Sequence, residues 1–98
     1  MAELTYRAAA SSDLDEIARF SIARFGRAVA QDYVAGLREA VVRLGQMPEL
    51  GSVALGIKPT IRSYAYRRHR IYYIFDQSTV TILRILHQAM DAPKRLQN

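Results

Sequence analysis

Two apolar stripes of helical period, separated by a single glycine, leave this chain few ways to fold. In ASSDLDEIARFSIARFG, Leu14, Ile17, Ala18, Ile22 and Phe25 recur at helical spacing and Gly26 follows as a stop. Ser12 to Asp15 matches a capping pattern, with Asp13, Asp15 and Glu16 where a helix dipole favours negative charge, so a helix start is expected there. A second stripe begins almost at once, with Ala30, Tyr33, Val34, Leu37, Val41 and Leu44 on one face. It ends at Gly45, with Pro48 beyond. Two amphipathic helices joined by one glycine predict an antiparallel helical hairpin that needs something apolar to cover.

The rest of the chain supplies it. Residues 3–8, ELTYRA, suit a short first strand. Residues 48–59, PELGSVALGIKP, read as a loop with at most a turn of helix. Three strands follow, over Thr60–Arg67, Arg70–Asp76 and Val80–His87. The middle one is apolar on both parities (Ile71, Tyr73, Phe75 and Tyr72, Ile74), as a central strand covered on both faces would be. Short links at Arg67-Arg68-His69 and Asp76–Thr79 favour antiparallel hairpins. The expected architecture is α+β: an N-terminal strand, then an antiparallel helical hairpin packed on an antiparallel β-sheet, in the order β-α-α-β-β-β. All 98 residues fit one small domain. The sheet face away from the helices should carry arginines and exposed apolar groups, and residues 91–98 should form a polar, flexible tail.

Charge is uneven. Residues 1–49 carry six Arg against seven Asp or Glu, whereas residues 50–98 carry eight Lys or Arg against two Asp. Within Arg62–Asp76 alone there are four arginines, four tyrosines and a histidine. Such a surface suits nucleic acid, RNA cleavage or an acidic protein partner, and composition does not choose among them. With no cysteine, disulfides and cysteine metal sites are excluded. The N-terminus lacks the pattern of a signal peptide, and no apolar run approaches the ~20 residues of a membrane span, so the expected location is the cytoplasm, away from the membrane.

Neither a P-loop, a dinucleotide fingerprint nor a GxSxG elbow occurs. Only His69 and His87 are available as imidazole ligands, and the basic half has no carboxylate cluster, so neither a metal site nor a cofactor is expected. Metal-free RNA cleavage needs a base, an acid and cations at the phosphate. Arg62, Arg67, Arg70 and Arg84 are candidate cations, and His87 a candidate acid or base. Arg84 and His87 lie three apart, however, and point to opposite faces of a regular strand unless it ends or bulges near Leu86.

The order of helical hairpin, Gly/Pro loop and IRSYAYRRHRIYYIFDQSTVTILRILHQAMD resembles the RelE/ParE superfamily of bacterial toxins, over about Tyr6 to Asp91. The more specific pieces are DLDEIARFSIARFG, LGQMPELG, the basic Tyr-rich hairpin and ILRILHQAMD. The resemblance implies one of two activities. RelE-like members cleave mRNA in the ribosomal A site; here that would use Arg70, Arg84 and His87. ParE-like members poison DNA gyrase and have no catalysis of their own. RelE-like nucleases also use Lys, Glu or Arg groups before the hairpin, where Glu49 and Lys58 are the candidates, and a Tyr or His near the C-terminus, which APKRLQN lacks. The opening helix is more similar to the ParE branch.

Under that resemblance the chain is the toxin of a type II toxin–antitoxin module that blocks replication and growth. Its implied partner is a ParD-like antitoxin whose disordered segment folds onto the toxin, and operator DNA is reached only through the complex. Antitoxin docking, or the core beneath it, is expected at Tyr33, Arg62, Tyr64, Arg70 and Tyr73. The gyrase-facing surface is expected at Arg84, His87, Met90 and Asp91.

Overall fold

The computed structural model describes residues 2–56, 59–90 and 92–96. The elements run β1 (Glu3–Tyr6), α1 (Ala8–Phe25), α2 (Arg27–Gln46), β2 (Ser52–Leu55), β3 (Ile61–Tyr66), β4 (His69–Asp76), β5 (Thr79–His87) and α3 (Ala92–Leu96). The α+β reading holds: a helical hairpin covers one face of a five-stranded sheet of order β1-β5-β4-β3-β2. The sheet is mixed rather than antiparallel. Three successive reversals from β2 bring β5 beside β1 in the same direction, and Leu4 pairs with Val80.

Helix α2 follows its sequence stripe. Ala30, Leu37, Val41 and Leu44 are buried, and Tyr33 and Val34 flank the core. Leu37, Val41 and Leu44 meet Ile71, Tyr73, Val80, Ile82 and Ile85 of β4 and β5 in one cluster. Burying this many large apolar side chains, at roughly 1.5–3 kcal/mol each, is the main term holding the layers together. Gly36 lets the layers meet closely, because a Cβ there would overlap the Tyr66 hydroxyl. Gly26 joins the helices at φ 92°, a conformation that glycine adopts without penalty.

Helix α1 departs from expectation at both ends. It begins at Ala8, not at Ser12, and Arg7 at its N-cap makes no side-chain cap. Three alanines, the strongest helix formers, extend the helix backwards and place Ala10 in the core. The buried stripe is therefore Ala10, Leu14, Ile17 and Ser21. Ile22 and Phe25 were expected on it but are exposed, because beyond Ser21 the hairpin turn has left the sheet.

Two further corrections concern the second half. The stretch expected as loop contains edge strand β2, which pairs with β3 through an irregular register between Val53 and Leu55. The far sheet face is less open than expected: α3 folds back on β5, and Tyr72 and Leu86 on that face are buried.

Candidate functional site

Strand pairing decides where each candidate points. His69, Ile71 and Tyr73 of β4 lie opposite His87, Ile85 and Ile82 of β5, all toward the helices. Between Tyr72 and Tyr73 the register shifts, because β5 inserts an extra residue at Leu83. Arg84, opposite Tyr72, consequently leaves the strand on the face away from the helices, before its guanidinium turns to Asp13 of α1, while His87 leaves it on the helix face. The bulge precedes Arg84 instead of falling near Leu86, so the two are not brought together.

Arg84 is occupied. Strand β1 stops at Tyr6, opposite Ile82, and leaves the later edge of β5 without a partner strand. Asp13 of α1 takes that place. Its Oδ2 accepts from Arg84 Nε at 2.8 Å and from the Ile85 N–H at 2.9 Å, and its Oδ1 accepts from Arg84 Nη2 at 2.9 Å. Arg84 Nη1 also donates to the Arg95 carbonyl of α3 at 3.3 Å. This bidentate pair is largely shielded from water, and the Asp13 carboxylate raises the Arg84 pKa, holding the guanidinium charged.

A second cluster lies at the β3–β4 turn. Tyr33 of α2 contacts Tyr66 edge-on at 5.3 Å and His69 at 5.5 Å, and the His69 and His87 rings meet edge-on at 5.4 Å. The Tyr33 hydroxyl and His69 Nδ1 are hydrogen-bonded at 2.7 Å. Burial, reinforced by His87 and partly opposed by Asp13, lowers the His69 pKa, so this imidazole is neutral near pH 7. Burial likewise raises the Tyr33 phenol pKa. His87 Nδ1 accepts from the Ala89 N–H at 3.1 Å. The Arg67 guanidinium carbon lies 5.3 Å from the Tyr66 ring centre and 5.8 Å from that of Tyr33. Arg67 itself adopts φ 51°, a left-handed conformation that costs a non-glycine residue about 1–2 kcal/mol.

The remaining predicted residues are dispersed. Tyr73 is fully buried; its hydroxyl donates to the Pro48 carbonyl at 2.7 Å and accepts from the Gly51 N–H at 2.8 Å. Arg62, directly opposite Tyr73, donates to the Gly51 carbonyl at 2.7 Å. Tyr64 packs half-buried against the core. Arg70 lies on the opposite sheet face and grips Ser63 Oγ through Nε and Nη2. Met90 is exposed just past β5. Asp91 and Lys58 lie outside the described residues. The structure thus unites Tyr33 with His69 and His87, but does not unite Arg70, Arg84 and His87.

An apolar surface escaped the sequence reading. Phe20 is 63% exposed and Phe25 55%, Ile22 and Val29 are exposed near the same hairpin turn, and Arg19, Arg24 and Arg27 are close to them in sequence. Phe20, Ala23, Arg24 and Phe25 line one shallow depression there, and Ile22, Ala30 and Val34 line a second groove between the helices. Phe20 falling off the helical stripe was the available signal. Among the described residues no group of three or more His, Cys, Asp or Glu side chains is placed to hold a metal, and no helix is long and apolar enough to cross a membrane.

Comparisons with known proteins agree with this architecture. The family model of the ParE toxin of the type II toxin–antitoxin system parDE matches residues 4–92. Toxin ParE1 of Mycobacterium tuberculosis is 30% identical over 89 residues, covering 90% of this chain and 91% of the relative. Toxin ParE1 of Caulobacter vibrioides is 31% identical over 87 residues, covering 89% and 90%. The fold is similar to that of a chain of the chromosomal ParDE system from P. aeruginosa, with TM-score 0.77 at 24% identity over 89% of this chain and 96% of that one. It is also similar to that of a copper-bound mutant toxin from Helicobacter pylori, with TM-score 0.61 at 18% identity over 91% and 97% of the two chains.

Proposed function

The chain belongs to the ParE toxin family of type II toxin–antitoxin systems, and from that premise we propose that it inhibits growth by poisoning DNA gyrase and is neutralised by a cognate ParD-like antitoxin. In this reading it acts in the cytoplasm by binding, without catalysis of its own. The observation that carries the choice of gyrase over mRNA cleavage is the dispersal of Arg70, Arg84 and His87. Phosphoryl cleavage needs its acid, base and cations around one phosphate. Here Arg84 is held by Asp13, and His87 faces the other side of the sheet.

The antitoxin reading is supported by the apolar hairpin end. Phe20 and Phe25 leave an apolar depression in water beside Arg24, and Ile22 and Val34 line a neighbouring groove beside Arg38. An acidic amphipathic segment, disordered when free, is the partner chemistry that fits it. Tyr33, Arg62, Tyr64 and Arg70 are partly accessible and are proposed as further antitoxin contacts, while Tyr73 belongs to the core beneath them. The proposed target surface is the end of β5, where His87 and Met90 lead into α3, together with Asp91, with Arg84 fixing that corner through Asp13 rather than contacting the target. Sequence-specific recognition of operator DNA belongs to the toxin–antitoxin complex.

The test is plasmid cleavage with purified gyrase, ATP and this chain, quenched with detergent. Linear plasmid that accumulates with the chain and disappears on addition of the antitoxin is the expected result. Absence of linear plasmid, with cleaved mRNA appearing in a translating ribosome assay, would overturn the gyrase assignment.

A further inference from the structure

We propose that the β3–β4 turn, Arg67-Arg68, docks the phosphodiester backbone of duplex DNA directly and without sequence preference. The first observation is conformational. Arg67 occupies a positive-φ turn position at φ 51°, where glycine is unstrained. An arginine there carries a backbone cost that the contacts of its side chain with two aromatic rings partly offset.

The second observation is the seating of that side chain. Its guanidinium lies against the Tyr66 and Tyr33 rings instead of a carboxylate, and among the described residues no acid pairs with Arg67 or Arg68. The rings beneath are themselves fixed, Tyr66 against Gly36 and Tyr33 by its hydrogen bond to His69. The Arg68 carbonyl accepts from the Gln88 N–H at 2.9 Å, tying the turn to the end of β5. Two exposed arginines are thus presented on a braced turn.

The third observation chooses the occupant. The exposed large apolar side chains include Phe20, Ile22, Phe25 and Val29 at the hairpin end, and none lies on this turn. An amphipathic protein segment needs such anchors, whereas a phosphate backbone needs cations and planar donors. The net charge of +5 favours approach to a polyanion. The inference relies on the gyrase reading only for the physiological source of the DNA, the duplex that gyrase holds.

The test is fluorescence anisotropy of the full chain with a fluorescein-labelled duplex of about 20 mixed-sequence base pairs, titrated at several salt concentrations. Arg67→Gly and Arg68→Gln are each expected to weaken binding about tenfold and to lower the salt slope by about 1. Arg43→Gln, which removes the same charge from α2, should change affinity less than about twofold. Arg67→Gly relieves the backbone strain while losing the ring contacts, so a melting temperature close to wild type is expected alongside the lost binding. The inference is overturned if all three variants bind alike, or if poly-glutamate of matched charge binds as tightly as the duplex through the same two residues. Duplex binding with no gyrase-dependent plasmid cleavage removes the gyrase reading and keeps this site; the reverse pair of results removes this site and keeps gyrase.

Discussion

Arg84 and Arg67 sit on the same two hairpins and have opposite fates. Arg84 is shielded, bidentate to Asp13, and closes the part of β5 that β1 leaves uncovered. Arg67 is exposed, adopts a strained turn conformation and rests on aromatic rings. In sequence both are arginines of a basic, β-rich half. What separates them is whether a carboxylate is within reach, and that is set by contacts across 71 residues of chain. An arginine consumed by its own fold has little left for a partner, whereas a braced and unneutralised one keeps its donors.

The sharpest way to break this contrast is at the paired end. Asp13→Ala leaves the Arg84 guanidinium and the Ile85 N–H without their acceptor, and should destabilise by about 3 kcal/mol. In urea unfolding the midpoint should fall with the slope unchanged. A shift below about 0.5 kcal/mol would mean that the corner is not structural.

At the hairpin end, Phe25→Ala should reduce antitoxin affinity by about 2 kcal/mol and leave the melting temperature nearly unchanged. Calorimetric titration beside a thermal melt separates the two effects. Unaltered affinity would move the antitoxin off this surface.

Tyr73→Phe removes a buried hydroxyl that satisfies both Pro48 and Gly51, and should cost about 1–2 kcal/mol. Faster amide exchange should then appear at Gly51.

The smallest effect expected is with pH. His69 has its pKa lowered in the fold, chiefly by burial, so on acidification the unfolded chain takes up a proton before the folded one does. Its contribution is complete above the ordinary histidine value of about 6.5 and declines as pH falls below it. His69→Gln should flatten that decline in unfolding measurements between about pH 7 and 5. An unchanged pH profile would place the titration elsewhere.

Where elements were set by local pattern, they were legible. The α2 stripe and the doubly apolar β4 are examples, because burial on one or both faces imposes a period that the residues must show. Elements set by distant partners were not. SVAL becomes β2 only because β3 offers it an edge, and the parallel β1–β5 pairing has no local signal. Asp13 looked like a helix-start charge, but it serves a strand edge far along the chain. The end of the α1 stripe was misread because helical spacing continues through Ile22 and Phe25, past the point where the sheet stops. In the candidate site, the aromatic company of Tyr33 came from register, and the conformation of Arg67 from the turn; neither leaves a mark in the residue order.

The most direct test of the account compares Arg67→Gly with wild type in two assays at once, thermal unfolding and gyrase-dependent plasmid cleavage. Stability should stay within about 1 kcal/mol, because relief of backbone strain offsets the lost ring contact, while linear plasmid falls at least about tenfold, the loss expected for one phosphate-contacting arginine. Full cleavage activity in the glycine variant would show that Arg67 makes no contact on which poisoning depends, and loss of its fold would show that Arg67 serves the structure as Arg84 does; either result would contradict the contrast.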